Sequence, residues 1–261
     1  MAIKTIKFIS RIVKSFSYRI SRRLLNFSLP VEYPDYCIKK LLQNLSINLI
    51  IDVGANKGQF RDLVRDAGYK NLLISFEPLV DAYEILKNKS VKDKFWIIWE
   101  NIALGDSFKT ERFHKTRNSV SSSIFPPLGI KDSNKSSGKY LKGIEIVDCY
   151  DVKVVTLDSI AKSIKEIAKG FYNNLSIHLK IDVEGYEKLV LMGSENFLSD
   201  VLSISLELSI YPLNKNASTY DEIVFYLKQK GFSIWSIDRG YTSEKGRCYQ
   251  IDVIFIRQEL L

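Results

Sequence analysis

From residue 49 onward, the hydrophobic pattern alternates between short apolar runs and amphipathic stretches of helical period. The first run, residues 49–53, contains Asp52 and is followed by Gly54 and Gly58 before a helical pattern begins at Phe60. This order predicts a strand, a tight turn and a helix N-terminus, the first unit of a nucleotide-binding α/β sheet. Glycine permits close backbone approach there, and the first helical turn leaves backbone N–H groups unpaired for a ligand.

The second run, residues 71–76, leads into Glu77 and Pro78. A carboxylate about 20 residues after the glycine turn is well placed to accept hydrogen bonds from both hydroxyls of a ribose. A solvated strand end is the simpler alternative for Glu77.

A third strand is predicted over residues 95–106. At its polar end, Asn101 and Asp106 can hydrogen-bond the edge of an adenine, beside an apolar wall that includes Ala103. For either polar residue, a role in a simple turn is equally compatible with the pattern.

Residues 107–148 break the pattern, because serine, proline and glycine replace any regular period. A stretch of this length predicts a functional lid or a mobile insertion, and we expect the acceptor substrate on this side. The pattern resumes with a short strand over residues 152–158 that runs into a helix, with Thr156 or Asp158 as its cap.

A second acidic strand end follows the apolar run at residues 175–181, where Asp182 and Glu184 precede a glycine turn. A later run places Glu207 in the same way. Parallel strands end at the same edge of a sheet, so these carboxylates should lie near the glycine turn. His178 lies inside the run and is expected in the core rather than as a base.

The last two strands, predicted over residues 232–237 and 249–256, are joined by a polar loop without a helix. They should therefore pair antiparallel at the end of an otherwise parallel sheet. The predicted fold class is α/β and Rossmann-like.

The positive charge of the chain is concentrated at its start. The net charge is +8, yet residues 1–31 hold seven basic and no acidic residues, which leaves 31 basic and 30 acidic residues elsewhere. Apolar residues recur in this arm every three or four positions, which predicts an amphipathic helix with a basic face. Such a helix suits an anionic membrane surface, and packing on the domain or on a partner subunit is the alternative.

Three widely spaced cysteines, Cys37, Cys149 and Cys248, form no Cys-x-x-Cys pair, so we expect free thiols in the reducing cytoplasm. Two histidines are too few for a zinc site made of His and Cys, whereas a carboxylate site for a hard metal ion stays open. No run reaches the about 20 apolar residues of a transmembrane helix, and no signal peptide is recognisable.

Five motifs in order resemble the FkbM-type methyltransferase family, over about residues 49–256. They are Ile51-Asp52-Val53-Gly54-Ala55-Asn56-Lys57-Gly58-Gln59-Phe60, Phe76-Glu77-Pro78, Asn101-Ile102-Ala103-Leu104-Gly105, Thr156-Leu157-Asp158 and Lys180-Ile181-Asp182-Val183-Glu184-Gly185-Tyr186-Glu187. The resemblance implies a class I methyltransferase fold, with a seven-stranded, mostly parallel sheet and one antiparallel strand. It also implies S-adenosyl-L-methionine (SAM) as the methyl donor and a hydroxyl acceptor, often on a sugar or a polyketide-like natural product.

The resemblance further implies a role for each motif. The glycine turn would hold the methionine part of SAM, the second strand end its ribose and the third its adenine, while Asp182 would lie by the reactive sulfonium. The cofactor-binding residues expected on this basis are Asp52, Val53, Gly54, Asn56, Lys57, Gly58, Glu77, Pro78, Asn101, Ala103 and Asp182.

Methyl transfer to a hydroxyl requires in-line positioning and a group that takes the hydroxyl proton. Asp182 and Glu184 are the candidate catalytic residues, with Glu207 behind them. These carboxylates could instead hold a divalent cation that orients and acidifies a diol. The simplest alternative is that Glu184 or Glu187 caps the following helix.

Three other functions share parts of this pattern. An NAD-dependent oxidoreductase needs a Gly-x-Gly-x-x-Gly turn, and Asn56 stands where the second glycine belongs. A methyltransferase of protein or nucleic acid shares the donor half, but the near-neutral body lacks the basic charge that binds a phosphate backbone. A non-catalytic, membrane-associated SAM- or nucleotide-binding module would leave the paired acids unexplained.

The predicted organisation is a basic helical arm and linker over residues 1–34 and a methyltransferase domain over residues 35–261, with the insertion at about 107–148. We expect a small-molecule, glycan or lipid-linked sugar acceptor and no nucleic acid. Glycan biosynthesis in the cytoplasm, with the arm at the inner face of the membrane, fits this picture, and a homo-oligomer is compatible with it.

Removing residues 1–31 is expected to abolish co-sedimentation of the protein with vesicles that contain anionic lipid. Binding of the full chain should weaken at high salt, because screening reduces the attraction between basic side chains and lipid. Sedimentation of both forms at low and high salt, with neutral vesicles as the control, measures this. Unchanged partitioning of the shortened chain would rule out a membrane role for the arm.

Overall fold

The computed structural model describes residues 34–128, 143–243 and 246–261 of the chain. Its strands are β1 (Leu49–Val53), β2 (Leu72–Phe76), β3 (Trp96–Ile98), β4 (Ala103–Leu104), β5 (Lys109–Thr116), β6 (Ile146–Val155), β7 (Ile177–Ile181), β8 (Val201–Ser209), β9 (Phe232–Arg239) and β10 (Gln250–Arg257). Its α-helices are α1 (Pro34–Asn44), α2 (Gln59–Asp66), α3 (Val80–Ser90), α4 (Leu157–Lys169), α5 (Glu187–Met192) and α6 (Tyr220–Gln229). The predicted arm up to residue 33 and residues 129–142 of the insertion lie outside the described residues.

Seven strands form one sheet in the order β3-β2-β1-β7-β8-β10-β9. The pairs from β3 to β8 are parallel, whereas β10 is antiparallel to both β8 and β9. The predicted Rossmann-like α/β fold with one antiparallel strand is confirmed. The chain places β2 and β3 on one side of β1 and later places β7 on the other side. This reversal of strand order opens a crevice at the carboxyl ends of β1, β2 and β7.

Every residue of β1, β2 and β7 is buried, which explains why most of their residues are apolar. Parallel strands with both faces covered have no solvent-facing side to keep polar. Along β1, Leu49, Ile51 and Val53 pack into the core on one face, and Ile50 packs into the core on the other. The two cores hold the edge of the sheet, and therefore the acids that follow the strands, in fixed positions.

The expectation of an irregular insertion at 107–148 is wrong for residues 109–116 and 146–148, which are strands, whereas residues 117–128 are irregular apart from one short turn of helix. Strand β5 pairs antiparallel with β6, and β4 pairs parallel with β6, to make a second, three-stranded sheet. Strand β5 is hard to predict from the sequence, because most of its residues are polar and only Phe113 and Thr116 are buried. The strand predicted over 152–158 is the end of β6 and belongs to this second sheet.

The prediction of one continuous third strand over 95–106 is also wrong. The backbone leaves the main sheet after Trp99, whose N–H donates to the carbonyl of Ser75. A tight turn follows, in which the N–H of Ile102 donates to the carbonyl of Glu100. Ala103 therefore pairs with Val154 in the second sheet, and two strands take the place of one.

Three local predictions are confirmed. The side chain of Thr156 caps α4 by accepting a hydrogen bond from the backbone N–H of Ser159. His178 is fully buried between Ser203 and Ser205, and burial lowers its pKa to about 3, so it is a neutral core residue. The three cysteines are free thiols.

Among the described residues, no helix has the length and apolar character needed to cross a membrane.

Replacing Gly54 by alanine should destabilise the fold more than the same change at Gly68. Both glycines have a positive φ, which costs an alanine about 1–2 kcal/mol, but an added Cβ at Gly54 would overlap the carbonyl oxygen of Asp182, whereas the space at Gly68 is open. We expect Gly54→Ala to lower the free energy of unfolding by about 1–3 kcal/mol more than Gly68→Ala, as overpacking does. Urea unfolding of both variants measures this, and equal losses would contradict the contact between the two strand ends.

Candidate functional site

A cavity of about 400 Å³ lies at the carboxyl edge of the central strands. This cavity lies at the ends of β1, β2 and β7, and β8 reaches it near its own end. Side chains from distant parts of the sequence therefore share its walls. The predicted site residues that line it are Val53, Gly54, Asn56, Glu77, Pro78, Ala103, Asp182, Glu184 and Glu207. The structure therefore brings together the ends of the motifs in one place.

Four predicted cofactor-binding residues do not line the cavity. Asp52 is buried behind it, and the side chain of Lys57 is exposed. A Cβ at Gly58 would meet the Trp96 ring, so this glycine lets α2 pack closely. The Asn101 amide donates a 2.8 Å hydrogen bond to the carbonyl of Glu77 and so supports the strand end from behind.

Glu77 is held rigidly at the end of β2. One carboxylate oxygen accepts from the N–H of Asn56 at 2.6 Å, and the other accepts from the N–H of Leu79 at 2.7 Å. Burial raises the pKa of Glu77 to about 7 in spite of these two bonds. Each carboxylate oxygen can accept a further hydrogen bond, so the group can still bind a pair of hydroxyls.

Lys180 lines the cavity, and the sequence analysis did not single it out. Its ammonium donates to the carbonyl oxygen of Gly54 at 2.8 Å and lies 3.2 Å from Asp52 and 3.5 Å from Asp182. Burial lowers its pKa, but the negative charges of the two aspartates outweigh this and raise the pKa above its ordinary value. A lysine inside an apolar strand was the available signal, because lysine is almost never fully buried without partners.

Three carboxylates converge on the other side of the cavity. One oxygen each of Asp182, Glu184 and Glu207 lies within 4.8 Å of the others. Burial, followed by the charge of Asp182, raises the pKa of both glutamates well above the ordinary value. The only described group that donates to any of these glutamates is the Gln250 amide, which lies 2.6 Å from Glu207.

Glu187 holds the turn that precedes α5. Its carboxylate accepts from the backbone N–H groups of Val183 and Gly185, both at 3.1 Å. These bonds fix the turn and do not cap the helix, although Glu187 lies in the first helical turn, where the dipole favours its charge. The capping alternative is wrong for Glu184, which lines the cavity instead.

The segment after β5 closes one side of the cavity. The Asn56 amide donates to the carbonyl of Ser119 at 2.9 Å, and the Ser123 hydroxyl donates to the carbonyl of Val183 at 2.9 Å. Phe113 and Ile124 add apolar wall beside Ala103. The second sheet thus shapes the cavity, on the side where the sequence predicts the acceptor.

A family model described as "Methyltransferase FkbM domain" matches residues 52–234. No curated protein matches the chain. Among solved structures, the chain is similar to M. capricolum TrmK with S-adenosyl-homocysteine (TM-score 0.41, 11% identity, 87% of this chain and 69% of that one). It is also similar to an rRNA methylase from Streptococcus thermophilus (0.43, 8%, 87% and 98%) and to magnesium protoporphyrin IX methyltransferase from Synechocystis PCC 6803 with SAM (0.43, 11%, 85% and 77%).

Replacing Lys180 by methionine should destabilise the protein by about 3–5 kcal/mol, because Asp52 would keep a buried charge without its partner. The double variant Asp52→Asn, Lys180→Met should regain most of this loss. Lys188→Met, which breaks an exposed ion pair with Glu222, is the control and should cost less than about 1 kcal/mol. Urea unfolding at pH 7 measures all three, and a double variant as unstable as Lys180→Met would contradict a buried ion pair.

Proposed function

The chain belongs to the FkbM methyltransferase family and is a SAM-dependent methyltransferase, and from this premise we propose that it methylates a hydroxyl of a sugar, a glycan or a related natural product. The family match supports the donor half of this statement. The hydroxyl acceptor is the proposed half, and it rests on the carboxylates that share the cavity with the donor-binding residues.

The residues at the donor side fit SAM. The buried carboxylate of Glu77 keeps acceptor capacity for two ribose hydroxyls, and Ala103 and Leu104 provide an apolar wall for a base. Gly54 lets the first turn lie directly against the end of β7, where a side chain would fill the space. When bound, SAM supplies a methyl group on a positively charged sulfur, which leaves as neutral S-adenosyl-homocysteine.

The convergence of Asp182, Glu184 and Glu207 in this same cavity is the observation that carries the proposal. A hydroxyl oxygen is a weak nucleophile, and it attacks more readily when a base takes its proton while the new O–C bond forms. Burial makes Glu184 and Glu207 stronger bases than ordinary carboxylates, as their raised pKa values indicate. The methyl carbon gains the bond to oxygen and loses its bond to sulfur, and the proton passes to this group of carboxylates.

The charge of the acceptor side argues against a nucleic-acid substrate. Asp238 and Asp252 line the cavity together with the three converging carboxylates, and Lys180 is the single lysine or arginine among the described lining residues. A phosphate backbone needs a row of basic contacts, and the described part of the cavity wall has no such row. A neutral polyol is the acceptor class that the charge favours.

Acceptor assays with trideuteromethyl SAM test the proposal. Nucleotide sugars, lipid-linked glycans, unmodified RNA and a mixture of peptides are offered to the full chain, and mass spectrometry detects the transferred group. We expect transfer to a sugar hydroxyl alone, with the position confirmed by NMR. Transfer to RNA or peptide, with none to any sugar, would overturn the hydroxyl proposal.

Two variants separate the donor side from the acceptor side in the same assay. Glu77→Ala should weaken SAM binding about 10- to 100-fold, because charge-assisted hydrogen bonds contribute about 1.5–3 kcal/mol. Asp182→Asn should lower kcat by about 10²- to 10⁴-fold, with a smaller effect on SAM affinity. Calorimetry and initial rates measure these effects, and Asp151→Asn, an exposed carboxylate, is the control. Small and equal effects of both variants would remove these assignments.

A further inference from the structure

We propose that Asp182, Glu184 and Glu207 together bind one divalent cation, Mg²⁺ or Mn²⁺, which holds two neighbouring hydroxyls of the acceptor. The cation site itself can be tested without any acceptor. Only its use, holding a sugar diol, rests on the proposed hydroxyl methylation.

The three carboxylates have the spacing that a single ion needs. Asp182 and Glu184 follow β7, and Glu207 lies near the end of the neighbouring parallel strand β8. Their nearest oxygens lie within 4.8 Å of one another. Oxygens that share a Mg²⁺ ion at about 2.0–2.1 Å lie up to about 4.2 Å apart, so small side-chain rotations bring all three into contact with one ion.

The unpartnered state of Glu184 is a second, independent observation. This residue is 8% exposed and lines the cavity. Within the described part of the chain, no group donates a hydrogen bond to its carboxylate, and Lys180 acts on it only through its charge, without a hydrogen bond or a close ion pair. By contrast, the buried carboxylates of Glu77 and Glu187 each accept two backbone N–H bonds. Burying a charged group without partners is costly, so a ligand is expected to satisfy Glu184.

Among the described residues that line the cavity, the one cationic side chain is Lys180, and it is shared with the first strand end. Lys180 lies between Asp52 and Asp182 and donates its hydrogen bond to the carbonyl of Gly54. Glu207 receives only the neutral amide of Gln250. Three converging acids therefore share part of one ammonium charge, and a divalent ion would balance the remainder.

The number of ligands points to an open site. Mg²⁺ and Mn²⁺ prefer six oxygen ligands, and three carboxylates leave positions for water or substrate. A vicinal diol can occupy two neighbouring positions, which orients both hydroxyls and makes each a stronger acid. The acceptor class inferred in this way is a sugar with two adjacent free hydroxyls.

Mn²⁺ binding to the full chain tests the site directly. After removal of metal with a chelator, the electron paramagnetic resonance signal of free Mn²⁺ is followed during titration, without SAM or acceptor. We expect one ion per chain, with a Kd below about 1 mM. Glu184→Gln should weaken binding at least tenfold, whereas Asp252→Asn, a carboxylate of the same cavity outside the three, should change it less than twofold.

Two results would overturn the cation site. One is the absence of saturable binding to the wild-type chain, and the other is an equal loss of affinity in Asp252→Asn, which would show general electrostatic attraction only. Thermal unfolding confirms that each variant is folded, and Glu207→Gln provides a second test if Glu184→Gln is not. Both results leave the acceptor assay untouched, so failure of the cation site and failure of the methylation proposal are distinguishable.

The use of the cation has its own measurement. Methylation of a vicinal diol sugar should fall at least tenfold in chelator and recover with Mg²⁺, while methylation of the matched monodeoxy sugar should depend less on the ion. Equal rates with and without chelator on the diol would overturn this role.

Discussion

A buried ammonium group between two strand ends is the constraint on which the site depends. Lys180 can stay charged in the core only because Asp52, Asp182 and the carbonyl of Gly54 surround it. These contacts join β1 to β7 at the carboxyl edge, exactly where the order of the strands reverses along the chain. Because Gly54 has no Cβ, its backbone can lie directly against the carbonyl oxygen of Asp182. This backbone contact and the contacts of Lys180 together fix the position of the glycine turn relative to the acids after β7.

The cavity has two sides with different chemistry, and each belongs to a different pair of strands. The ends of β1 and β2 provide a preorganised acceptor of hydrogen bonds, Glu77, whose oxygens are fixed by backbone N–H groups. The ends of β7 and β8 provide carboxylates that have few partners of their own. Methyl transfer depends chiefly on alignment, and the proposed assignment places the donor on the rigid side and the acceptor on the acidic side. The second sheet completes the enclosure through hydrogen bonds from the segment after β5.

The second sheet shows where prediction from sequence fails and why. Its strands β5 and β6 form an antiparallel pair with many exposed positions, so their side chains carry little of the alternation that marks a buried strand. Their pairing is set by partners such as Phe113 and Tyr150, which lie far apart in the sequence. The short strand β4 could not be recognised as separate from β3. The turn at residues 99–102 that divides them contains no glycine or proline to mark it in the sequence.

Most strands of the main sheet, and the acids that lie at its carboxyl edge, could be predicted from local patterns in the sequence. Period and run length are local properties, and parallel strands share an edge, so Glu77, Asp182 and Glu207 could be placed together before any coordinates. Only the tertiary structure decided which side chains face the cavity. Asp52 and Asn101 lie behind it, Lys180 lines it, and Glu184 has no hydrogen-bond donor within the described part of the chain. Those outcomes depend on contacts between segments that are distant along the chain, and local patterns contain no information about them.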